Sequence, residues 1–586
     1  MFDEHYRTRL TAWPVSWRIV NKRWVARPVP ALELVDAPNP LGLPPSMALL
    51  LARRGYTGDR LYDFLHPDIG NLFRWSDIRG IKKAVSRLTS AVIGSEKVMV
   101  HGDFDADGIT ATAVVCLGLK ALDADVTWFI PRRFEDGYGL GDAGVKACIE
   151  SGASLLLTVD CGISGAREVG ILADAGVDVV ITDHHQYAGE PPPAYSVVNP
   201  ALEGDVPHGT LAGVGVAWML MRGLYHELGR DEDILDDLLQ LVAVGTLADV
   251  VDLSGANRIL VAEGMKRIRK KPLAGIGALL KSASRTAVSV TSEDLSYYVA
   301  PRINACGRVG DAGHALALLT AGNTREADIY VAGVEECNKR RRELESGVLE
   351  HLTRKLEGVE PGRCIVAADR GWHRGVVGIA ASRLVSRFGV PSLVISIEGE
   401  TGFGSARSVP GVPIHSILRG IRKEFGIMDS LGGHPMAAGF RLPRDEIPSL
   451  RNRLLEVMSG KEWDGLLGPV LYLDGRLEPE DFSVEMVRAL EMMEPFGEGN
   501  GKPVWITRGA YPLEWRTVGR DGSHLSCLFG IGGNTYRGIG FGMAEYVPML
   551  GDRVDLAFTL ARDTWRGGNR IQLILKGIRK HRRRRR

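Results

Sequence analysis

Cysteine is scarce in this 586-residue chain: seven residues (Cys116, Cys148, Cys161, Cys306, Cys337, Cys364, Cys527), an odd number, scattered and without a CxxC pair. That excludes a disulfide framework or a zinc knuckle as the organising feature, and the thiols read as reduced and mostly buried. Long apolar runs are missing too. No stretch reaches the roughly 18 apolar residues of a membrane span, and the best candidate, Leu238–Leu253, contains Asp249 and Asp252. Met1–Leu10 carries Asp3, Glu4, Arg7 and Arg9 where a secretory signal would need an apolar core. A soluble, cytoplasmic protein with no membrane partner is the expectation. Net charge is nearly absent as well: 72 Lys+Arg against 71 Asp+Glu give +1, which at first sight argues against an electrostatic nucleic-acid binder.

Counting by segment reverses that impression. Residues 99–260 hold 25 acids and 8 bases, net −17, and the rest holds 46 acids and 64 bases, net +18. One very acidic lobe sits inside a basic remainder. The length suggests about three or four domains. With 45% hydrophobic residues each can bury a core, so general disorder is excluded. Glycine is abundant, 71 residues, without a Gly-X-Y period, which indicates many tight turns rather than a collagen repeat.

Residues 1 to about 80 read as a small leading domain, helical in Ser46–Arg54 and Asp59–Leu65. From Val98 the pattern becomes strand, turn, helix. Strands are expected at Lys97–His101, Val126–Ile130, Leu155–Val159 and Val177–Thr182, and helices at Gly108–Leu122, Gly141–Ser151 and Ser164–Ala175. Apolar strands alternating with amphipathic helices imply a parallel sheet covered on both faces. Thr324–Leu356 lacks proline and is dense in charge, so it reads either as a connector helix of roughly 50 Å or as a solvated surface helix. A second α/β unit starts at Cys364–Ala368 and runs to about Ser459. Past Gly468, short alternating segments with Gly-rich turns suggest a small β-barrel or sandwich. The expected divisions are 1–80, 81–320, 321–360, 361–467, 468–576 and a basic tail at 577–586.

The densest chemistry is His101-Gly-Asp103-Phe-Asp105-Ala-Asp107-Gly108, directly after a strand and before a helix, where ligands sit in open α/β sheets. Aspartates crowded there cannot all stay ionised without a cation, which favours metal binding over a solvated turn. An EF-hand is disfavoured because no Glu occupies the twelfth loop position. The topology recurs at Leu155–Asp160 and at Val177–Asp183-His184-His185, and a fourth apolar segment, Leu241–Ala248, ends in Asp249. A lone Asp at a strand end is more often a helix cap; four such ends with a His pair point to one ligand cluster at one sheet edge. Carboxylates with imidazole and no spaced thiolates favour manganese or magnesium over zinc. Two divalent cations sharing one bridging Asp would suit hydrolysis of a phosphoester.

The run His101-x-Asp103-x-Asp105-x-Asp107-Gly108, then Asp160-Cys-Gly162, then Asp183-His184-His185 resembles the DHH phosphoesterase superfamily. Leu431-Gly-Gly-His434-Pro-Met-Ala-Ala-Gly439 looks like the GGHxxAAG motif of its second (DHHA1) domain. With Ile130-Pro-Arg-Arg133 through Gly139, Arg302-Ile-Asn-Ala-Cys-Gly-Arg308 and a β-rich C-terminal part, the match narrows to the bacterial RecJ family of single-stranded-DNA exonucleases. The resemblance covers about Ser46–Lys576. It implies an α/β architecture: a parallel-sheet DHH domain and a DHHA1-like domain joined by a long helix, then an OB-like barrel. It also implies that His101, Asp105 and Asp160 hold one metal, and Asp107, Asp160, His184 and Asp249 the other. His185 would face the scissile phosphate, and Asp103 would be a further ligand or a turn cap.

For the strand itself, the resemblance implies binding by Arg133, Arg302, Asn304, Arg308, Ser405, Arg407, Gly433 and His434 in a cleft between lobes. Phe403–Ser408 reads as a Gly-rich turn similar to a family segment written SGRS, with Ala406 in place of the second-position Gly. Trp505, Trp515, Tyr536 and Trp565 are candidates for base stacking or for barrel core. Lys576–Arg586, with 8 bases and no acid, reads as a disordered tail able to add phosphate contacts. The implied activity is 5′-to-3′ degradation of single-stranded DNA to mononucleotides in recombination and repair, with a helicase and a single-stranded-DNA-binding protein as partners. The alternatives are a DHH phosphodiesterase for short oligonucleotides or cyclic dinucleotides, and a catalytically silent DNA-binding subunit. The charge polarity yields a test: an acidic lobe repels a polyanion until cations fill it. Affinity for single strands at fixed ionic strength, followed by fluorescence anisotropy, is expected to fall when divalent cations are chelated; unchanged affinity would refute the electrostatic account.

Overall fold

The structure, a computed structural model, describes residues 22–27, 39, 41–187, 189–204, 209–357, 362–519, 522–563 and 570–581. The chain forms two compact units. One comprises Met1–Gly55, Arg340–Leu490 and Pro503–Arg586, and the other Tyr56–Lys339 with Glu491–Lys502. The leading segment expected as one domain is thus divided: β1 (Arg23–Ala26) and α1 (Pro45–Arg53) fall in the former unit, α2 (Asp59–Leu65) in the latter.

The unit built on Tyr56–Lys339 continues with α3 (Ile81–Ile93), β2 (Val98–Gly102), α4 (Ala106–Lys120), β3 (Val126–Phe129), α5 (Asp142–Ser151), β4 (Leu155–Val159), α6 (Ala166–Asp174), β5 (Asp178–Thr182) and β6 (Ser196–Val198). The strands form one parallel sheet in the order β3-β2-β4-β5-β6. Alternate residues feed two cores. Val98, Val100, Leu155, Leu157 and Val180 pack on the helical face with α3 and α4, whereas Met99, Leu156, Val179 and Ile181 pack against α5 and α6. Both faces are covered, so the strands read as continuous apolar runs.

Helices α7 (Gly213–Glu227), α8 (Asp233–Asp249), α9 (Gly255–Lys270) and α10 (Ala274–Ser282) follow, then a π-helical turn at Leu295–Val299, α11 (Ala300–Val309) and α12 (Ala312–Leu319). The fourth apolar segment of the sequence is therefore the end of helix α8 and not a strand. Helix α13 (Thr324–Lys355) runs unbroken for 32 residues, its residues divided between the two units at Lys339. Among the described residues no helix is long and apolar enough to cross a membrane.

The other unit holds a mixed sheet of β7 (Ile365–Arg370), β8 (Ser392–Glu398), β9 (Thr401–Arg407), β10 (Ser430–His434) and β11 (Ala437–Pro443), ordered β10-β11-β9-β8-β7. Helices α14 (Val377–Phe388), α15 (Ile414–Phe425) and α16 (Ile447–Met458) accompany it. The segment Phe403–Arg407, read as a turn, is part of strand β9, paired with both β8 and β11. Gly404 lets the Phe440 ring cross its face, and Ala406 is fully buried in the core, so its methyl fills space that a glycine would leave empty.

Strand β12 (Val470–Leu473) pairs in parallel with β1. The barrel comprises β13 (Gly475–Arg476), β14 (Trp505–Val518), β15 (His524–Ile531), β16 (Asn534–Gly540), β17 (Val554–Arg562) and β18 (Ile571–Lys580); pairing of β14 with β17 closes it. Lys576–Lys580, read as the start of a disordered tail, completes β18, where Arg579 meets Asp555 on β17 at 3.2 Å. Trp505 is 1% exposed and belongs to the core, Trp515 is exposed, and Tyr536 packs on Phe482 with ring centroids 4.9 Å apart. Trp565 and Arg582–Arg586 lie outside the described residues.

One buried cation ties distant segments of the sheet-bearing unit. Arg258 on α9 is 2% exposed, stacks on Phe64 and donates to the carbonyls of Phe64 (2.8 Å), Met493 (3.0 Å), Pro495 (3.2 Å) and Glu494 (2.9 Å). Burial pushes its pKa down to about 10, and the carbonyl cage replaces the lost hydration. Arg258→Met removes a donor from each of those carbonyls, leaving Met493 and Pro495 with Asn500 Nδ2 at 2.8 Å, and is expected to cost about 3 kcal/mol, read as a lowered urea midpoint with unchanged slope.

Candidate metal centre

The register of the parallel sheet places the acidic residues. Gly102, Val159 and Thr182 are aligned across β2, β4 and β5, so Asp103, Asp160 and Asp183 each follow by one residue at the same edge. The chain leaves β2 for β3 on one side and returns to β4 on the other, so this edge is a topological switch point, where open α/β sheets bind ligands.

Each carboxylate has its own support. Asp105 caps α4, accepting from the amides of Asp107 (2.9 Å) and Gly108 (3.1 Å). Asp107, in the first turn of α4, accepts from the buried amides of Gly213 (2.7 Å) and Val214 (3.0 Å), which have no carbonyl partner within α7 because they lie at its start. Asp160 has φ +61°, a conformation that non-glycine residues adopt at a cost. Close approach of α7 is possible because residue 213 is glycine: a Cβ there would lie 2.4 Å from Asp160 Oδ1. Asp249 ends α8, where the helix dipole disfavours a carboxylate unless a cation is near.

Three groups of ligand atoms lie within 4.8 Å of one another: Asp103, Asp105 and Asp160; Asp107, His184 and Asp249; and Asp160, His184 and His185. His184 Nε2 is 3.1 Å from Asp160 Oδ1, 3.6 Å from Asp249 and 3.8 Å from Asp107. His101, at the end of β2, is in none of these groups, although its ring is fully buried and its Nδ1 is 3.5 Å from Cys161 Sγ. Asp103 is grouped where sequence reasoning had left it between ligand and turn cap.

Burial, and then the neighbouring carboxylates, push the acids of Asp103, Asp107 and Asp160 well above the usual range. Burial also holds His101 down at about 4 and His184 below its ordinary value. Asp183 behaves oppositely. Burial would raise it, but it accepts from Ile163 N (3.0 Å), His184 N (2.8 Å), His185 N (3.1 Å) and His185 Nδ1 (2.7 Å), and the net shift is downward. In return, although burial opposes it, Asp183 raises His185 to about 9, so that ring is cationic at neutral pH.

Of the expected strand-binding residues, Arg133 reaches this edge: it stacks on Phe104, and Asp103 and Asp105 attract it. Asn304 accepts from Ala106 N (3.0 Å) and so positions the turn that carries Asp105 and Asp107. Arg302 is corrected. It is 3% exposed and spends its guanidinium on Glu335 (2.5 Å) and the Tyr298 carbonyl (2.7 Å), tying helices together inside the unit. Arg308 is half-buried in the last turn of α11. In the other unit Arg407 donates to Ser405 Oγ (3.0 Å), and the pairing of β9, β10 and β11 sets His434, Ala437 and Arg407 in one row, with Gly433 one position along β10.

Sequence reasoning missed two residues. Tyr138, in the loop that carries Arg133, places its hydroxyl 3.0 Å from His185 Nε2. Buried Asn199 donates to the His185 carbonyl (2.9 Å) and holds the Asp-His-His turn from behind. Tyr138 was findable from its loop; nothing in the sequence marks Asn199.

Family models match in the same order along the chain: the DHH family N-terminal domain at residues 97–246, the DHHA1 domain at 362–460 and the RecJ OB domain at 473–577. The single-stranded-DNA-specific exonuclease RecJ of Escherichia coli is 35% identical over 567 residues, covering 92% of this chain and 96% of that protein. The chain belongs to the RecJ family. The RecJ of Bacillus subtilis is 34% identical, covering 92% of this chain and 68% of its own length. A crystal structure of RecJ from Thermus thermophilus in complex with Mn2+ superposes with a TM-score of 0.79 at 32% identity, covering 96% of this chain and 80% of that one. The same RecJ was also solved with Mg2+.

The donor set of this RecJ-family chain fits such a cation. His101 Nε2, Asp103 Oδ1, Asp160 Oδ1 and His184 Nε2 are buried without a hydrogen-bond partner, although most buried polar atoms have one. Asp160 and His184 approach to 3.1 Å without hydrogen-bond geometry, as two ligands of one ion would. Burial, and then the charges of Asp103, Asp183 and Asp160, push the Cys161 thiol well up, so it offers no thiolate and the set remains oxygen and imidazole. In the metal-free protein the crowded carboxylates oppose folding. Asp160→Asn is therefore expected to raise the Tm of chelator-treated protein while abolishing most of the Tm gain on adding manganese, both read by scanning calorimetry. A gain retained in full would remove Asp160 from the ligand set.

Proposed function

We propose that this chain is a metal-dependent exonuclease that degrades single-stranded DNA from its 5′ end to mononucleotides, in recombination and repair. The observation that carries the reading is the row of strand ends at Asp103, Asp160 and Asp183, with the partnerless buried ligand atoms beside them. The family relationship supports the substrate class.

Two divalent cations, manganese or magnesium, would be held by Asp105, Asp107, Asp160, His184 and Asp249 with His101 and Asp103. When bound they supply a polarised water and neutralise charge developing on the phosphoryl oxygens. Asp183 fixes the His185 ring and keeps it protonated, so an imidazolium stands at the rim of the carboxylate cluster, where it can hydrogen-bond a phosphate oxygen or protonate the departing 3′ oxygen. Tyr138 holds the second nitrogen of that ring in the absence of a strand and would have to give up that contact for His185 Nε2 to reach a phosphate, and Arg133 offers a guanidinium to the strand beside Phe104. Asn304 acts by positioning the Asp105–Asp107 turn. Ser405, Arg407 and His434 form a second set of donors for phosphate on the other sheet. A helicase that frees single strands, and a protein that coats them, are the partners such an enzyme needs.

A time course on long 5′- and 3′-labelled single strands, duplexes and dinucleotides, with manganese, magnesium or chelator, tests the reading. Early release of 5′ mononucleotides from long single strands, abolished by chelator, is expected. Cleavage confined to dinucleotides would point to a small-substrate phosphodiesterase, and tight binding without hydrolysis to a silent subunit. Asp107→Ala is expected to lower the manganese-supported rate by about 10³-fold or more; full activity would sink the ligand assignment.

A further inference from the structure

Away from the carboxylates, in the unit that contains the barrel, a cavity of about 490 Å³ lies where β1 and α1 meet β12, β13, β14 and β18. Five arginines line it, Arg27 just after β1, Arg53 on α1, Arg476 on β13, Arg508 on β14 and Arg579 on β18, against one acid, Asp474. That acid is already satisfied. Its side chain is 1% exposed, and it accepts from Arg27 (2.9 Å), Arg54 (3.2 Å) and the amide of Val504 (2.9 Å). Arg476 pairs with Glu478 at 2.9 Å, and Arg579 pairs with Asp555 and lies over the Trp24 ring at 4.4 Å. Arg53, in the last turn of α1, and Arg508, exposed on β14, have no ion pair or side-chain hydrogen bond among the described residues.

Two unspent guanidinium groups from separate elements, held in one cavity with three further arginines, repel each other until an anion sits between them. The guanidinium fork matches the paired oxygens of a phosphodiester. We propose that this cavity binds the sugar-phosphate backbone of a single strand, with Arg53 and Arg508 each contacting a phosphate. The inference rests on the proposed action on single strands. An acidic peptide is the less suitable occupant: Ile506 is buried, Trp24 is covered by Arg579, and neither leaves an apolar seat for a peptide side chain.

The test uses the full chain and an oligodeoxynucleotide of about 40 residues, with binding followed by fluorescence anisotropy in chelator across a salt series. Arg53→Ala/Arg508→Ala is expected to weaken binding about tenfold and to reduce the slope of log affinity against log salt by about 1.4, two phosphates at roughly 0.7 each. Arg53→Lys/Arg508→Lys, which keeps both charges, should retain the slope, and manganese-supported cleavage of a dinucleotide should be unchanged in both variants. Affinity and slope equal to the parent's would overturn the proposal. So would a variant that loses affinity for poly-glutamate but not for the strand, which would assign the cavity to acidic peptides. If the parent binds as expected yet cleaves no strand with metal, the catalytic reading fails and the cavity assignment stands. If the parent cleaves and the alanine variant binds normally, only the cavity assignment fails.

Discussion

Repulsion among buried carboxylates is the constraint around which the sheet-bearing unit is arranged. Asp103, Asp107 and Asp160 are each at most 2% exposed, with Asp105 and Asp249 beside them. Water cannot screen them, so the protein must. It does so by aiming backbone amides at them: the start of α7 at Asp107, the start of α4 at Asp105, and the turn after β4 at Asp183. These donors supply partial positive charge but leave Asp103 and Asp160 each with an unsatisfied oxygen. A cation completes an arrangement that is otherwise short of positive charge.

Much of this was legible in the sequence because it follows from strand-end chemistry. An apolar run ending in Asp marks a strand feeding a turn, and three such runs predict three neighbours on one edge. What was not legible depended on context. Leu241–Ala248 is apolar on every side because it is packed on every side, so periodicity could not distinguish helix from strand, and Asp249 proved to end a helix. Phe403–Arg407 contains a glycine, a serine and an alanine, poor strand formers, yet it is a strand because Gly404 accommodates the Phe440 ring. Arg302 looked like a phosphate donor because sequence carries no trace of Glu335, its partner on a later helix. Lys576–Lys580 read as tail because basic residues at the end of a strand resemble disorder until Asp555 is seen opposite.

The near-zero net charge follows from the same division of labour. Acids are concentrated in the segment that carries the ligand cluster, and bases in the remainder of the chain. His185 is the point at which the two regimes touch: a ring kept cationic by one carboxylate at the rim of a cluster of others. Burial opposes that charge, Asp183 is its main source, and Asp249 and Asp103 add to it.

Arg258 has a consequence for how the chain is made. Its side chain and the Met493 carbonyl are separated by 235 residues of sequence. At ordinary rates of synthesis, roughly 5–20 residues per second, the Met493, Glu494 and Pro495 carbonyls are made roughly 10 to 50 s after the guanidinium they must solvate. Throughout that interval the nascent sheet-bearing unit lacks its final clasp and must keep Arg258 hydrated. The last tightening of this unit therefore falls late in synthesis, after residues 491–502 have been made.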